Sequence, residues 1–372
     1  MFSVALALTM LFADTTAFGS VDTAGSVCVI NTVTGEVVSE KDADDKRSMA
    51  STTKIMTLIC ALENADTDEI VTVCDKAPYT EGSSAYLKPG AKITMYDLLC
   101  GLMLNSGNDA AVAIAHHISG DTEKFAELMT QTAKRIGVHN SQFKNPNGLE
   151  DDGHYTTAYD LAKITRYGMK NSTFCEIVSK RSHTAEMTLK DGTAQKVEYI
   201  NHNRLLRELD GCVGVKTGFT KAAGRCLVSA TEREGGGYIA VTLSDSDDWH
   251  THKDLHNGAF DSARQKQIIN EGECIKHAVS GKTEVSLVAK DGFSLFTNRE
   301  RFDGVEVIVN LPQRIDFPLN EGEKVGELQI ISGGEKVGCV DIVAESDFVP
   351  QTQAKLENCY LFTVITILRN IL

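Results

Sequence analysis

The sequence predicts an α+β fold: an antiparallel sheet with helices, followed by a small all-β domain. A hairpin pattern opens the chain at Ser26–Glu40. Apolar residues then recur at helical spacing through the middle, and β-rich runs return after Asp210. Strands at both ends with helices between them require a first hairpin that pairs with strands remote in sequence.

The elements follow in order. "SVCVINTVTGEVVSE" alternates apolar and polar residues around Thr34-Gly35, which marks a β-hairpin. From Ser51, "STTKIMTLICALENA" places apolar residues at helical spacing. A polar, turn-rich stretch follows, with a short strand expected near Ala85–Leu87. "TMYDLLCGLMLNSGNDAAVAIAHHI" reads as helix interrupted by the breaker set Asn105-Ser106-Gly107-Asn108. "TEKFAELMTQTAKRIGV" is an amphipathic helix ending near Gly137, and "TTAYDLAKITRYGMK" is another, with Thr156 as its N-cap. "GCVGVKTGF", "GRCLVSATERE" and "GGYIAVTLS" are strands, the last two joined through Gly235-Gly236-Gly237. A helix from about Asp248 to Gln267 closes this region. Short alternating runs between turn residues then form the β domain: "TEVSLVAK", "VEVIVNLP", "VGELQII" and "GCVDIVA". The boundary falls within "INEGECIKHA".

A chain of 372 residues, 42% hydrophobic and 24% charged, is long enough to bury a sizeable core. The net charge of −14 argues against nucleic acid as a partner, because phosphate binding needs a basic surface. Residues 2–13, "FSVALALTMLFA", read as the apolar part of a secretory leader without its basic n-region; a buried first helix is the alternative. At the other end, "CYLFTVITILRNIL" is too short for a membrane span and is interrupted by Arg369 and Asn370. It suits an interfacial anchor, since the linker-like "ESDFVPQTQAKLEN" precedes it; a core helix is the alternative. The expected segments are a leader remnant at 1–20, the principal domain at 21–270, the β domain at 275–346 and a linker with an apolar tail at 347–372. The ten cysteines contain no CxxC pair and outline neither a disulfide framework nor a zinc site.

Chemistry is concentrated in three short segments. In "MASTTKIM", Ser51 and Lys54 are three residues apart and face the same way on a helix. A serine hydroxyl needs a base beside it to act as a nucleophile, and a free amide at a helix start can stabilise an oxyanion. Alone this motif is weak, because about one S-x-x-K is expected by chance in such a length. "LNSGND" adds Ser106, a second hydroxyl able to shuttle a proton, and Asn108, a carboxamide able to hold an amide. "VKTGF" sets Lys216, Thr217 and Gly218 at the end of a strand. The ammonium and hydroxyl suit a carboxylate, and the glycine lets a ligand backbone approach the strand edge.

These are the serine–lysine, S-x-N and K-T-G motifs shared by β-lactamases and penicillin-binding proteins. The chain resembles the D-alanyl-D-alanine carboxypeptidases among the low-molecular-mass penicillin-binding proteins. "GSSAYLKPGAKITMYDLLCGLMLNSGNDAA", "FKNPNGLEDDGHYTTAYDLA", "GVKTGFTKAAGRCLVSATE" and "PLNEGEKVGELQI" extend the likeness from Ser26 to Ala344. The resemblance implies a β-lactamase/transpeptidase-like catalytic domain. Ser51 would be the acylated nucleophile and Lys54 its base. Ser106 would relay a proton to the leaving D-alanine, and Asn108 would bind the substrate backbone. Lys216 and Thr217 would engage the terminal carboxylate beside Gly218, with an oxyanion hole made by the amides of Ser51 and Phe219. The implied substrate is the D-Ala–D-Ala end of the peptidoglycan stem peptide, and β-lactams would acylate Ser51. No cofactor is implied. The implied location is outside the cell membrane, with the C-terminal tail against its surface. A β-lactamase, a D,D-endopeptidase or transpeptidase, and a non-catalytic wall-binding protein share parts of this pattern; the β domain and tail argue against the first.

Two positions depart from the family. Phe219 follows the K-T-G where relatives often have histidine, which matters little if only its amide acts. The arginine that some relatives carry near "NHNRLL" corresponds to His202 or Arg204. Elsewhere, "WHTHKDLH" offers His250, His252 and His256 to a divalent ion, but a polar helix face explains them without metal. Glu150, Asp151 and Asp152 read as a solvated acidic loop, and His116-His117 as structural residues on an apolar helix.

Overall fold

A computed structural model describes residues 21–233, 236–280, 283–298, 305–312, 315 and 318–349. The apolar N-terminal stretch and the C-terminal tail lie outside the described residues.

The chain opens with the expected hairpin, β1 (Ala24–Asn31) and β2 (Val37–Lys41), turning at Gly35 with φ +72°. A 3₁₀ turn over Ala50–Thr53 leads into α1 (Lys54–Asn64). Short strands β3 (Ile70–Thr72) and β4 (Lys92–Thr94) flank the next loop. Helices α2 (Met95–Met103) and α3 (Asn108–Ser119) are broken at Leu104–Gly107. They are followed by α4 (Thr122–Arg135), α5 (Ala158–Gly168) and α6 (Ser172–Ser179). Side-chain caps start several of these helices: Thr94, Asp121, Thr157 and Asn171 each accept the amide three residues on. Strands β5 (Ser182–Thr188) and β6 (Ala194–Ile200) complete a four-stranded sheet in the order β3-β4-β5-β6. After the short α7 (Leu205–Glu208) come β7 (Cys212–Thr220), β8 (Gly224–Arg233), β9 (Gly236–Asp245) and α8 (Asp248–Ser262).

The main sheet runs β2-β1-β9-β8-β7, with every pairing antiparallel. The first hairpin therefore joins its remote strands through β1 and β9, and β7 is left as an edge. Strand alternation gives the sheet two buried faces. Cys28, Ile30, Val228, Ala230, Ile239 and Val241 face the helical core that contains α1. Val27, Val29, Tyr238 and Ala240 meet Leu255 and Ala259 of α8.

The C-terminal domain is all β. A five-stranded sheet runs β11-β12-β16-β15-β14, from β11 (Cys274–Ser280), β12 (Thr283–Ala289), β14 (Val305–Asn310), β15 (Lys324–Ser332) and β16 (Glu335–Ala344). Beside it, β10 (Arg264–Ile269) pairs with β13 (Phe293–Thr297). Leu287, Leu328, Ile330 and Ile342 form its core. Arg166 of α5 ties the two domains, reaching the Thr32 and Val33 carbonyls and Glu335.

Three local expectations are corrected. The last helix of the principal domain ends at Ser262, not Gln267, because Arg264–Gln267 are drawn into pairing with β13. Thr157, not Thr156, caps α5. Thr156 is held extended by backbone bonds to Arg47, and its hydroxyl meets Ser141. Ala85–Leu87 is not a strand: the amides of Ala85 and Leu87 point at the buried Asp109 carboxylate, at 2.7 and 3.2 Å, instead of into a ladder.

Candidate active site

Ser51 lies in the 3₁₀ turn rather than in the α-helix proper, and Lys54 is the first residue of α1. Tight turning still brings residues three apart together. Lys54 Nζ lies 3.0 Å from Ser51 Oγ. Its other two contacts are both carbonyl oxygens: Asn108 Oδ1 at 2.7 Å and the Asn147 main chain at 2.5 Å. Lys54 is fully buried, and burial holds its amine well below the usual lysine range. The nearby Lys216 charge pushes in the same direction, and Asp109 opposes both. An uncharged amine has two N–H donors and one lone pair. The two carbonyls take the donors, so the lone pair is left for the Ser51 hydroxyl.

The loop before α3 delivers Asn108. Its amide N–H bonds to the Ser83 carbonyl and its side-chain nitrogen to the Glu81 carbonyl, both at 2.7 Å. Asp109 holds the same loop through Ser84 Oγ at 2.6 Å and the two amides named above. Ser106 is buried in the break between α2 and α3, with φ +58°. Among the described residues its hydroxyl makes no hydrogen bond to Ser51, Lys54 or Lys216.

The third segment arrives on β7. Gly218 passes so close to the turn that a Cβ there would sit 3.1 Å from the Ser51 and Thr52 amide nitrogens. That is tighter than an ordinary Cβ contact, so a side chain there would push against the turn. Lys216 is buried, and burial pushes its amine down to about 7. It donates to the Thr217 carbonyl at 2.8 Å. Thr217 is half-buried, while Phe219 is 66% exposed, so its ring is no part of a packed wall. Of the two candidates near Lys216, Arg204 pairs with Glu208 and lies over Trp249. His202 is the one that feels Lys216: after burial, that charge is what lowers its pKa.

Several supporting residues were not singled out in the sequence. Asn147 supplies a carbonyl to Lys54, and Gly148 lets that loop reach the turn, since a Cβ there would lie 2.0 Å from the Ala50 oxygen. His154 locks the turn from beneath. The Lys144 amide donates to its Nδ1, so Nε2 carries the proton toward Thr53 Oγ1 at 2.8 Å, and Thr53 donates to the Ala50 carbonyl. Burial keeps this imidazole neutral, down to about 4. Ala50 itself has φ +47°, a strained conformation for a non-glycine residue at the base of the turn. The turn signal "NPNG" and a histidine in "GHYTT" were visible in sequence; their convergence on Ser51 was not.

The remaining candidates lie elsewhere. His252 and His256 are not a solvated face: they are buried between α8 and the sheet and bonded to Ser229, Thr231 and Thr242. His250 is exposed near Asp254. His117 pairs with Glu69 near the surface, and Glu150 accepts the Ala222 amide just beyond β7.

Residues 14–247 match peptidase family S11, D-alanyl-D-alanine carboxypeptidase, and residues 264–349 match the C-terminal domain of penicillin-binding protein 5. The D-alanyl-D-alanine carboxypeptidase DacF of Bacillus subtilis is 30% identical over 336 residues, covering 87% of this chain and 85% of the relative. Among solved structures, the Streptomyces K15 DD-transpeptidase is 35% identical with a TM-score of 0.62, covering 64% of this chain and 97% of that one. The carboxypeptidase DacD from Francisella tularensis is 26% identical with a TM-score of 0.64, covering 93% and 98%. Fold, site geometry and relatives agree, and the chain belongs to the D-alanyl-D-alanine carboxypeptidase family.

Proposed function

We propose that this serine-type D-Ala-D-Ala carboxypeptidase works through an acyl-enzyme on Ser51, with Lys54 as the base. The observation that carries the assignment is the set of three contacts on Lys54 Nζ. Two carbonyls fix its donors, and the third contact is the Ser51 hydroxyl at 3.0 Å. Lys54 takes the hydroxyl proton as Oγ attacks the carbonyl of the penultimate D-alanine. The scissile C–N bond breaks, and D-alanine leaves with a proton relayed by Ser106. Water then cleaves the ester and regenerates the serine.

The substrate is the D-Ala–D-Ala terminus of a peptidoglycan stem peptide. Because β7 is an edge strand, an extended peptide can add alongside it. Lys216 donates once to the Thr217 carbonyl, and its remaining N–H donors, with the Thr217 hydroxyl, suit the terminal carboxylate. Asn108 holds the substrate backbone. The amides of Ser51 and Phe219 receive the oxyanion, at a place that the missing side chain of Gly218 keeps open. β-Lactams acylate Ser51 by the same attack. The chemistry draws on side chains and backbone alone, so no cofactor is assigned.

We also place the enzyme outside the cell membrane, with its tail on the membrane surface. Support comes from the apolar stretches at residues 2–13 and 359–372 and from the location of the substrate. Among the described residues no helix is long and apolar enough to cross a membrane. A second reading, transfer of the acyl group to an amine, is favoured by one observation: a solved relative bears the name DD-transpeptidase. Incubation with a stem pentapeptide separates the two. Free D-alanine with tetrapeptide supports hydrolysis, a cross-linked dimer supports transfer, and neither product, with Ser51→Ala indistinguishable from wild type, overturns the assignment.

A further inference from the structure

On the surface of the β domain a second hydrogen-bonded chain of nucleophile, imidazole and carboxylate is assembled. Cys274 Sγ lies 3.7 Å from His277 Nε2, and His277 Nδ1 lies 3.0 Å from Glu284 Oε1. Residues three apart on a regular strand point to opposite faces. Here the register of β11 slips between Cys274 and Lys276, so Ile275 is the extra residue of a bulge. The slip brings Cys274 and His277 to one side, which is how bulges re-aim side chains. Glu284 comes from β12. His277 pairs with Ser286, and Glu284 is two residues away on the same face, at a diagonal cross-strand position. Since β11 is an edge strand and all three side chains are exposed, the thiol is open to solutes.

The connectivity decides between two uses. Glu284 occupies Nδ1, so a metal at Nε2 would have only Cys274 and His277 as protein ligands, too few for a structural site. The same connectivity favours thiol chemistry. Nδ1–H donates to Glu284, leaving the Nε2 lone pair to accept the Cys274 S–H at 3.7 Å, nearer than the Lys276 carbonyl, its other acceptor, at 3.9 Å. Cys339 provides the contrast: it is also exposed, on β16, and has the Lys324 charge near it, but no imidazole lies within hydrogen-bond reach of it among the described residues.

We propose that Cys274 is a thiol–disulfide exchange site that accepts low-molecular-mass disulfides, making the β domain reversibly modifiable. His277 Nε2 takes the Cys274 proton. The thiolate attacks one sulfur of the disulfide, forming a new S–S bond as the old one breaks. The departing thiolate takes the proton from His277. Cys274 is oxidised and the small disulfide is reduced by the same electron pair, so no further oxidant is needed. A second small thiol reverses the step.

The test treats the full chain with glutathione disulfide and follows each cysteine by peptide mapping, with penicillin labelling of Ser51 as the check of folding. With an imidazole nitrogen beside its S–H, Cys274 should form the mixed disulfide about fivefold faster than Cys339 at pH 7. His277→Ala should bring Cys274 down to the Cys339 rate, and Glu284→Gln should fall between. Equal rates at Cys274 and Cys339 in the wild type, or an unchanged Cys274 rate in His277→Ala, would overturn the proposal.

Discussion

Two groups of buried titratable side chains lie on opposite faces of the same five-stranded sheet. On one face Lys54 and Lys216 sit beside Ser51; on the other His252 and His256 lie under α8. Burial lowers the proton affinity of all four. Their partners differ. Ser229 Oγ lies 2.6 Å from both His252 Nδ1 and His256 Nε2. Thr242 closes the remaining nitrogen of His252 at 3.0 Å and Thr231 that of His256 at 2.8 Å. Every ring nitrogen is satisfied from within, so the cluster can only hold the sheet to α8. Around Lys54 the carbonyls fix two contacts, and the third is a half-buried hydroxyl next to an open strand edge. One desolvation effect thus gives structure where the network closes and, in the proposed mechanism, a reactive pair where it ends at an opening.

The largest effect expected from breaking this contrast is Lys54→Arg. A guanidinium is always charged and cannot accept the Ser51 proton. Acylation by benzylpenicillin, followed by stopped assay, should slow about 10³-fold. A rate within tenfold of wild type would move the base elsewhere. Next is Gly148→Ala, which forces a Cβ to 2.0 Å from the Ala50 oxygen at φ +89°. It should lower stability by about 3 kcal/mol and slow acylation, because the Asn147 carbonyl shifts. Gly192→Ala, at φ +84° with nothing within 4 Å of the new Cβ, should cost only about 1 kcal/mol and leave acylation alone.

On the closed face, Ser229→Ala strips a partner from two buried nitrogens. It should cost about 2 kcal/mol in chemical denaturation and leave the acylation rate of folded protein unchanged. A changed rate would mean that the two faces are coupled. The same cluster also makes stability depend on pH. Burial pushes His252 down to about 3 and lowers His256 as well, whereas unfolded histidine titrates near about 6.5. Below that pH the unfolded chain binds protons that the folded chain refuses. This contribution to stability is complete above about pH 6.5 and is lost as pH falls toward 3, by about 1 kcal/mol per unit per histidine. Melting curves at pH 7 and 5 should show the drop, and His256→Leu should flatten it.

Much of the fold was legible in the sequence because its signals are local. Alternation around Thr34-Gly35 marked the hairpin, and Asn105–Asn108 marked the break before α3. The three segments that converge around Lys54 were legible as short motifs. Contacts set by distant parts of the chain were not. Ala85 and Leu87 alternate like a strand, yet a carboxylate 22 residues or more away claims their amides. Thr156 and Thr157 are adjacent threonines, and only the pairing of Thr156 with Arg47 leaves Thr157 to cap the helix. His252 and His256 looked like a polar face because nothing local reveals Ser229 and Thr231 on the strand beneath them. The Asn147 carbonyl leaves no side-chain signature at all, although it fixes one of the Lys54 donors.

Intact-mass analysis after benzylpenicillin treatment shows whether Ser51 is the nucleophile. The wild type should carry a single covalent adduct, mapped to the peptide containing Ser51, and Ser51→Ala should carry none. An adduct that persists on Ser51→Ala, or a wild type that takes none, would contradict that assignment.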